Sequence, residues 1–194
     1  MGTLIEAIEQ RLTELPKGLF DHISRTRDLA RTIAEAHGVD QELCDIGAAA
    51  HDLARHHDDA FLIREAESLG LPITNLDIAE PLLLHGPVAA RWMRDRHPCL
   101  DEDVISSVHY HTTGRPQMSK IEKVVFLADK LEPQKVINDP SLAKITKIYL
   151  HDLDEAVLSS IALRIRAILK LGGVVHPLAL DTWNWILLTK SRSR

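Results

Sequence analysis

Apolar residues recur at three- and four-residue intervals along nearly the whole chain, and few alternating β-branched runs interrupt them, which predicts an all-α domain. Thr3 and Glu6 have capping-box spacing at the start of a first helix, which Pro16 and Gly18 close. A second helix is expected from about Leu19 to Ala36, with Leu29, Ile33 and Ala36 on its core face and Gly38 just past its end. The next, Gln41 to His56, offers Ile46, Ala49, Ala50 and Leu53 for close packing inside a bundle. Ala66 to Glu80 reads as helix end, turn and short helix, and Pro87 starts a helix through Arg94.

Asp101 opens a further helix through Tyr110, His111 to Met118 is loop chemistry, and Ser119 with Glu122 caps a helix over Ile121 to Leu131. Pro133 stops it, and Asn138-Asp-Pro-Ser is a turn. A long amphipathic helix follows from Asp154 to Leu171, ended by Gly172-Gly173, then a last helix around Leu178 to Leu188 and a frayed basic tail from Lys190 to Arg194. A length of 194 residues suits one domain, organised as an N-terminal helix over 1–18, a core over 19–135 and C-terminal helices over 136–194 packing on it.

The 45% apolar and 26% charged residues exclude disorder and fibrous repeats. A net charge of −5 gives no reason to expect nucleic acid or a membrane surface, so small ligands or proteins are the expected partners. Cys44 and Cys99 are isolated, no basic leader segment opens the chain and no apolar run reaches membrane-spanning length, so a reducing, cytoplasmic compartment is expected.

His51-Asp52 changes the picture, because an imidazole and a carboxylate in an apolar helical stretch cost several kcal/mol unless something compensates for lost water. Taken alone, the pair fits equally a buried histidine bonded to a carbonyl beside an N-terminal aspartate. His22, His85, His111 and Asp129 recur at similar positions, however, and Asp129 lies inside the apolar run Val124-Val-Phe-Leu-Ala-Asp129. Four imidazoles with two carboxylates suit Fe, Mn, Co or Zn, whereas Mg and Ca prefer oxygen shells. The absence of cysteine ligands argues against a zinc finger. Six ligands favour two metals, with a carboxylate able to bridge ions ~3.5–4 Å apart and a shared water becoming the nucleophile.

The other histidines read as bland: His56 and His57 at the end of the His51 helix, His109 at the surface, His37, His97 and His176 at helix ends or loops. His151-Asp152 reads as a helix N-terminus, and Trp92, Trp183 and Trp185 as core or docking residues.

The order His22, His51-Asp52, His85, His111, Asp129 resembles the HD-domain metal-dependent phosphohydrolases, and specifically their YqeK-type members, the symmetrical bis(5'-nucleosyl)-tetraphosphatases. Leu84-His85-Gly86-Pro87-Val88-Ala89-Ala90, Tyr110-His111-Thr112-Thr113-Gly114-Arg115-Pro116, Met118-Ser119 with Glu122-Lys123, and Leu127-Ala128-Asp129-Lys130-Leu131-Glu132-Pro133 carry the likeness, which runs from about Leu19 to Pro133. It implies an HD helical bundle with two divalent ions, iron with manganese or cobalt as alternatives. His22, His51, Asp52 and Asp129 would hold one ion, Asp52, His85 and His111 the other, with Asp52 as the bridge.

The reaction so implied cleaves diadenosine tetraphosphate into two ADP through a metal-bridging hydroxide. Arg115 is the expected phosphate clamp, because guanidinium matches phosphate oxygens in a bidentate way; Arg55, Thr112, Thr113, Gly114 and Lys130 complete the expected substrate contacts, with Lys135 secondary. The chain departs from the family at Arg55, where Lys is common, and at Gln134-Lys135, where Gly-Arg is common. The alternatives are a hydrolase of another nucleotide and a slow nucleotide-binding or interaction protein; a homodimer stays open.

Overall fold

The computed structural model describes residues 2–192, with side chains from 5 to 191. Eleven α-helices and no strand occur among them: α1 (Gly2–Leu12), α2 (Lys17–His37), α3 (Gln41–Ala50), α4 (Asp59–Ser68), α5 (Asn75–Ala79), α6 (His85–Arg96), α7 (Glu102–His109), α8 (Lys120–Leu131), α9 (Pro133–Asn138), α10 (Leu153–Lys170) and α11 (Pro177–Arg192). The all-α expectation is met. No helix among the described residues is long and apolar enough to cross a membrane. The capping box expected at Thr3 rests on a side chain outside those described, as do the last two residues of the expected basic tail.

The bundle is built around α3, which packs on α2, α6, α7 and α8. Every residue from Cys44 to Ala50 is buried, and their small size is what lets so many neighbours approach. Gly47 marks the closest approach, since a Cβ there would collide with the Ser107 hydroxyl of α7 and lie 3.0 Å from a Val125 methyl of α8. The α2 helix ends through Gly38 at φ 61°, with the Val39 amide bonded back to Ala34 O at 2.9 Å. Its core face carries Ile23, Thr26, Ala30, Ile33 and Ala34; Leu29 is half-buried, and Ala36, expected inside, is exposed. Asp40 caps α3, and the Ser119–Glu122 capping box expected before α8 is formed reciprocally.

Several expectations need correction. The helix from Gln41 stops at Ala50 and continues as turns, so His56 and His57 lie beyond it, with His57 stacked on Phe61 and His56 tilted against His57. The cause is local: the His51 ring donates from Nδ1 to Ala48 O at 2.7 Å, engaging the carbonyl that accepts from the amide of Asp52 in a continuing helix. A full helix over 59–68, capped by Asp58, stands where only its end was expected. The α6 helix begins at His85 rather than Pro87, and α11 continues through Lys190, whose ammonium pairs with Asp152 and Glu155 at 3.1 and 3.0 Å instead of fraying. His109 is half-buried and Trp185 is 38% exposed.

Replacing Gly47 with alanine should destabilise the protein by about 1–3 kcal/mol, because the added methyl meets a Ser107 hydroxyl already bonded to Val104 O. Denaturant titration would show a lowered midpoint at unchanged slope.

Candidate metal centre

All six expected ligands come together in the interior. His22 projects from α2, His51 and Asp52 from the turn after α3, His85 from the first residue of α6, His111 from just past α7, and Asp129 from the last turn of α8. All six are buried, His51 and Asp52 completely.

Three of the rings are aimed by one device. Nδ1 of His51 donates to Ala48 O, that of His111 to Val108 O at 2.7 Å, and that of His85 to Leu82 O, in each case the carbonyl three residues back. Because a carbonyl only accepts, Nδ1 carries the hydrogen and Nε2 presents a lone pair. His22 differs: its Nδ1 lies 3.4 Å from Glu132 Oε1, so a carboxylate stands behind that ring.

The four Nε2 atoms then point at one another and at acids. His22 and His51 approach to 3.3 Å, and His85 and His111 to 2.9 Å. The oxygens of Asp52 divide between these pairs: Oδ1 is 3.0 Å from His85 and 3.5 Å from His111, while Oδ2 is 3.5 Å from His22 and 3.4 Å from His51. Asp129 Oδ1 joins the second pair, 3.2 Å from His22 and 3.7 Å from His51. Asp52 Oδ1 is buried without a hydrogen-bond donor. Lone pairs facing lone pairs in a dry interior need a cation between them, and nitrogen–carboxylate sets of this kind suit a first-row divalent metal. The ligand atoms of His22, His51 and Asp129 all lie within 4.8 Å of one another, as do those of His51, Asp52 and His111.

The charges within the cluster point the same way. Burial opposes ionisation of Asp52 and Asp129, yet the neighbouring imidazoles, and for Asp129 chiefly Lys135 and Lys130, hold both well below the usual carboxylate range. Burial also opposes a charge on His51, but Asp52 and Asp129 override it and push the ring up to about 9, so the carboxylates favour positive charge at this point of the cluster. Burial takes His111 down to about 4, with Asp52 only partly offsetting it.

Cations surround the acids from the outer side. Arg55 Nη1 lies 3.1 Å from Asp52 Oδ2, and Lys135 Nζ lies 2.6 Å from Asp129 Oδ1. Lys130 reaches Asp129 at 3.3 Å and the His111 carbonyl at 2.5 Å, and burial lowers its ammonium to about 8. Arg55 and Lys135 remain about one-third exposed. Two residues of this shell were not singled out from sequence. Glu132, 2% exposed, sits behind His22 and is clasped by Arg25 through Nε at 2.5 Å and Nη2 at 3.3 Å. Their signal was available: Arg25 lies one helical turn after His22, and Glu132 is a third acid three residues after Asp129.

Arg115 is placed differently from the expectation. Two of its nitrogens grip the buried Glu122 at 2.7 Å each, so its fork is closed on the capping box of α8 rather than open as a phosphate clamp. Thr113 donates to Gly114 O, Thr112 is half-buried, and Gly114, at φ 69°, lets the loop lie against Thr182 of α11.

The family model described as the HD domain matches residues 19–134. A protein of Halalkalibacterium halodurans named "Bis(5'-nucleosyl)-tetraphosphatase, symmetrical" is 33% identical over 190 residues, 96% of this chain and 97% of that one. A Bacillus subtilis protein of the same name is 30% identical over 94% of this chain and 95% of its own. A crystal structure from Clostridium acetobutylicum, titled a predicted HD superfamily hydrolase involved in NAD metabolism, superposes with a TM-score of 0.89 at 27% identity, covering 95% of this chain and 97% of that one.

Glu132→Gln should keep the Gln134 amide bond, which its carbonyl can still accept, yet weaken metal binding at the His22 side by roughly 10–100-fold. Metal analysis after dialysis would read this as loss of one ion before the other, whereas unchanged retention of both would contradict the role of Glu132 in holding His22.

Proposed function

The chain belongs to the HD-domain family, and we propose that this phosphohydrolase cleaves diadenosine tetraphosphate symmetrically into two ADP at a dinuclear centre formed by His22, His51, Asp52, His85, His111 and Asp129. The observation that carries the reading is the division of the two Asp52 oxygens between two pairs of imidazoles, which supports Asp52 as the residue that would serve both ions. The named activity of the Halalkalibacterium and Bacillus relatives supports the choice of substrate.

Two divalent ions held there, iron with manganese or cobalt as alternatives, would supply Lewis acidity toward phosphate oxygens and lower the pKa of water toward ~7. The residues of the chain supply everything around that chemistry. Carbonyl bonds to Nδ1 fix His51, His85 and His111 in the tautomer that offers Nε2, and Glu132 with Arg25 holds His22. Arg55, Lys130 and Lys135, already beside the carboxylates of the centre, offer cations to the non-bridging oxygens of the polyphosphate as charge builds on them. Thr112, Thr113 and Gly114 contribute the loop that borders His111, with Arg115 fastening that loop to α8 through Glu122. The leaving ADP needs little protonation, so no dedicated general acid is required.

Purified protein loaded with Fe(II) or Mn(II) should convert diadenosine tetraphosphate to ADP alone. Formation of AMP with ATP, or no turnover by fully loaded protein, would reject the assignment. Arg55→Ala should raise KM roughly tenfold, as expected for losing a charge-assisted phosphate contact, with metal content retained. Asp52→Ala should abolish turnover and leave fewer than two ions per chain.

A further inference from the structure

A groove of about 390 Å³ lies outside the metal centre, between α1 and α6, with Leu53 on one wall. Its volume falls within the range of small-molecule sites. Ile8 and Met93, both core residues, contribute its apolar lining together with Leu53 and Trp92.

Its charge is unbalanced. Arg91 and Arg94 of α6 are paired with Asp95 and Glu102, but Arg96, on the same helix, has no ion pair or hydrogen bond among the described residues. Arg11 of α1 faces the same groove, half-buried, with the Trp92 ring centroid 5.4 Å from its guanidinium carbon and no salt bridge among the described residues. Burial and the nearby Arg96 lower the pKa of Arg11, and Glu14 only partly offsets them. Glu14 is the one carboxylate on the rim, and it is exposed. Arg11 has only the exposed Glu14 nearby, while the exposed Arg96 repels it, so the groove carries more positive than negative charge.

We propose that this groove is a second ligand site, separate from the metal centre, which binds a nucleoside phosphate: Arg11 and Arg96 take the phosphate, and the base packs on Trp92, Leu53 and Met93. Two guanidiniums match phosphate oxygens, and the apolar wall with an indole suits a flat heterocycle better than a bare ion. The proposal rests on the groove alone and holds whatever the substrate of the metal centre.

The test is titration of ADP into the metal-loaded protein, read by calorimetry and by tryptophan fluorescence, with Trp92→Phe identifying the signal from the groove. Wild type should show saturable ADP binding that changes the Trp92 signal, one ADP per groove, whatever further ADP the metal centre takes. Arg11→Ser with Arg96→Ser should lose the class reported by Trp92, weakening it at least tenfold, with hydrolysis changed less than twofold. Arg11→Lys, which keeps the charge, should retain binding within about threefold and so separates loss of the anion partner from loss of the fold. No ADP-dependent change of the Trp92 signal in wild type, an unaltered Trp92 signal in the double serine variant, or inorganic phosphate binding as tightly as ADP would each overturn the proposal.

Discussion

Asp52 is a fully buried carboxylate whose two oxygens face two different pairs of imidazole lone pairs, and one of those oxygens has no hydrogen-bond donor. An arrangement of this kind is costly in a low-dielectric interior and becomes favourable only when positive charge enters it. The rest of the molecule is consistent with meeting that demand: small residues on α3 let four helices crowd around the cluster, and Arg55, Lys130, Lys135 and Arg25 stand at its outer side, each against one of its acids.

The rings are aimed with little machinery. In His51, His85 and His111 the same bond, from Nδ1 to the carbonyl three residues back, sets the tautomer and turns Nε2 inward. At His51 that bond also competes with the helical ladder, so the end of α3 and the presentation of the ligand have one cause. His22 sits well inside α2 and takes Glu132 instead, which joins the two helices that meet at the His22 side of the centre. His22 therefore differs from the other three rings in having a carboxylate rather than a carbonyl behind its Nδ1.

The expectation for Arg115 shows how a residue type can be right for a chemistry and still be used for another. Guanidinium matches phosphate, but it matches a carboxylate equally well, and the nearest one is Glu122, buried and held by the Ser119 amide. What Arg115 does instead is tie the loop carrying Thr112, Thr113 and Gly114 to the start of α8. Arg55, Lys130 and Lys135 keep their places beside the centre because Asp52 and Asp129 hold them there.

The sequence by itself determined the helical class, the Ser119–Glu122 cap and the identity of all six cluster residues. Those follow from periodicity and from the cost of placing imidazole or carboxylate in apolar runs, both of which are local. It misjudged the end of α3, the half-burial of His109 and the pairing of Lys190, because each depends on which acceptor or carboxylate lies closest in space. Only the tertiary structure decided how the oxygens of Asp52 divide, that Glu132 and Arg25 stand behind His22, and that Arg115 is spent on Glu122. These are contacts set by the packing of helices on one another, and in the first two cases they join residues far apart in the chain, so no spacing along the chain records them.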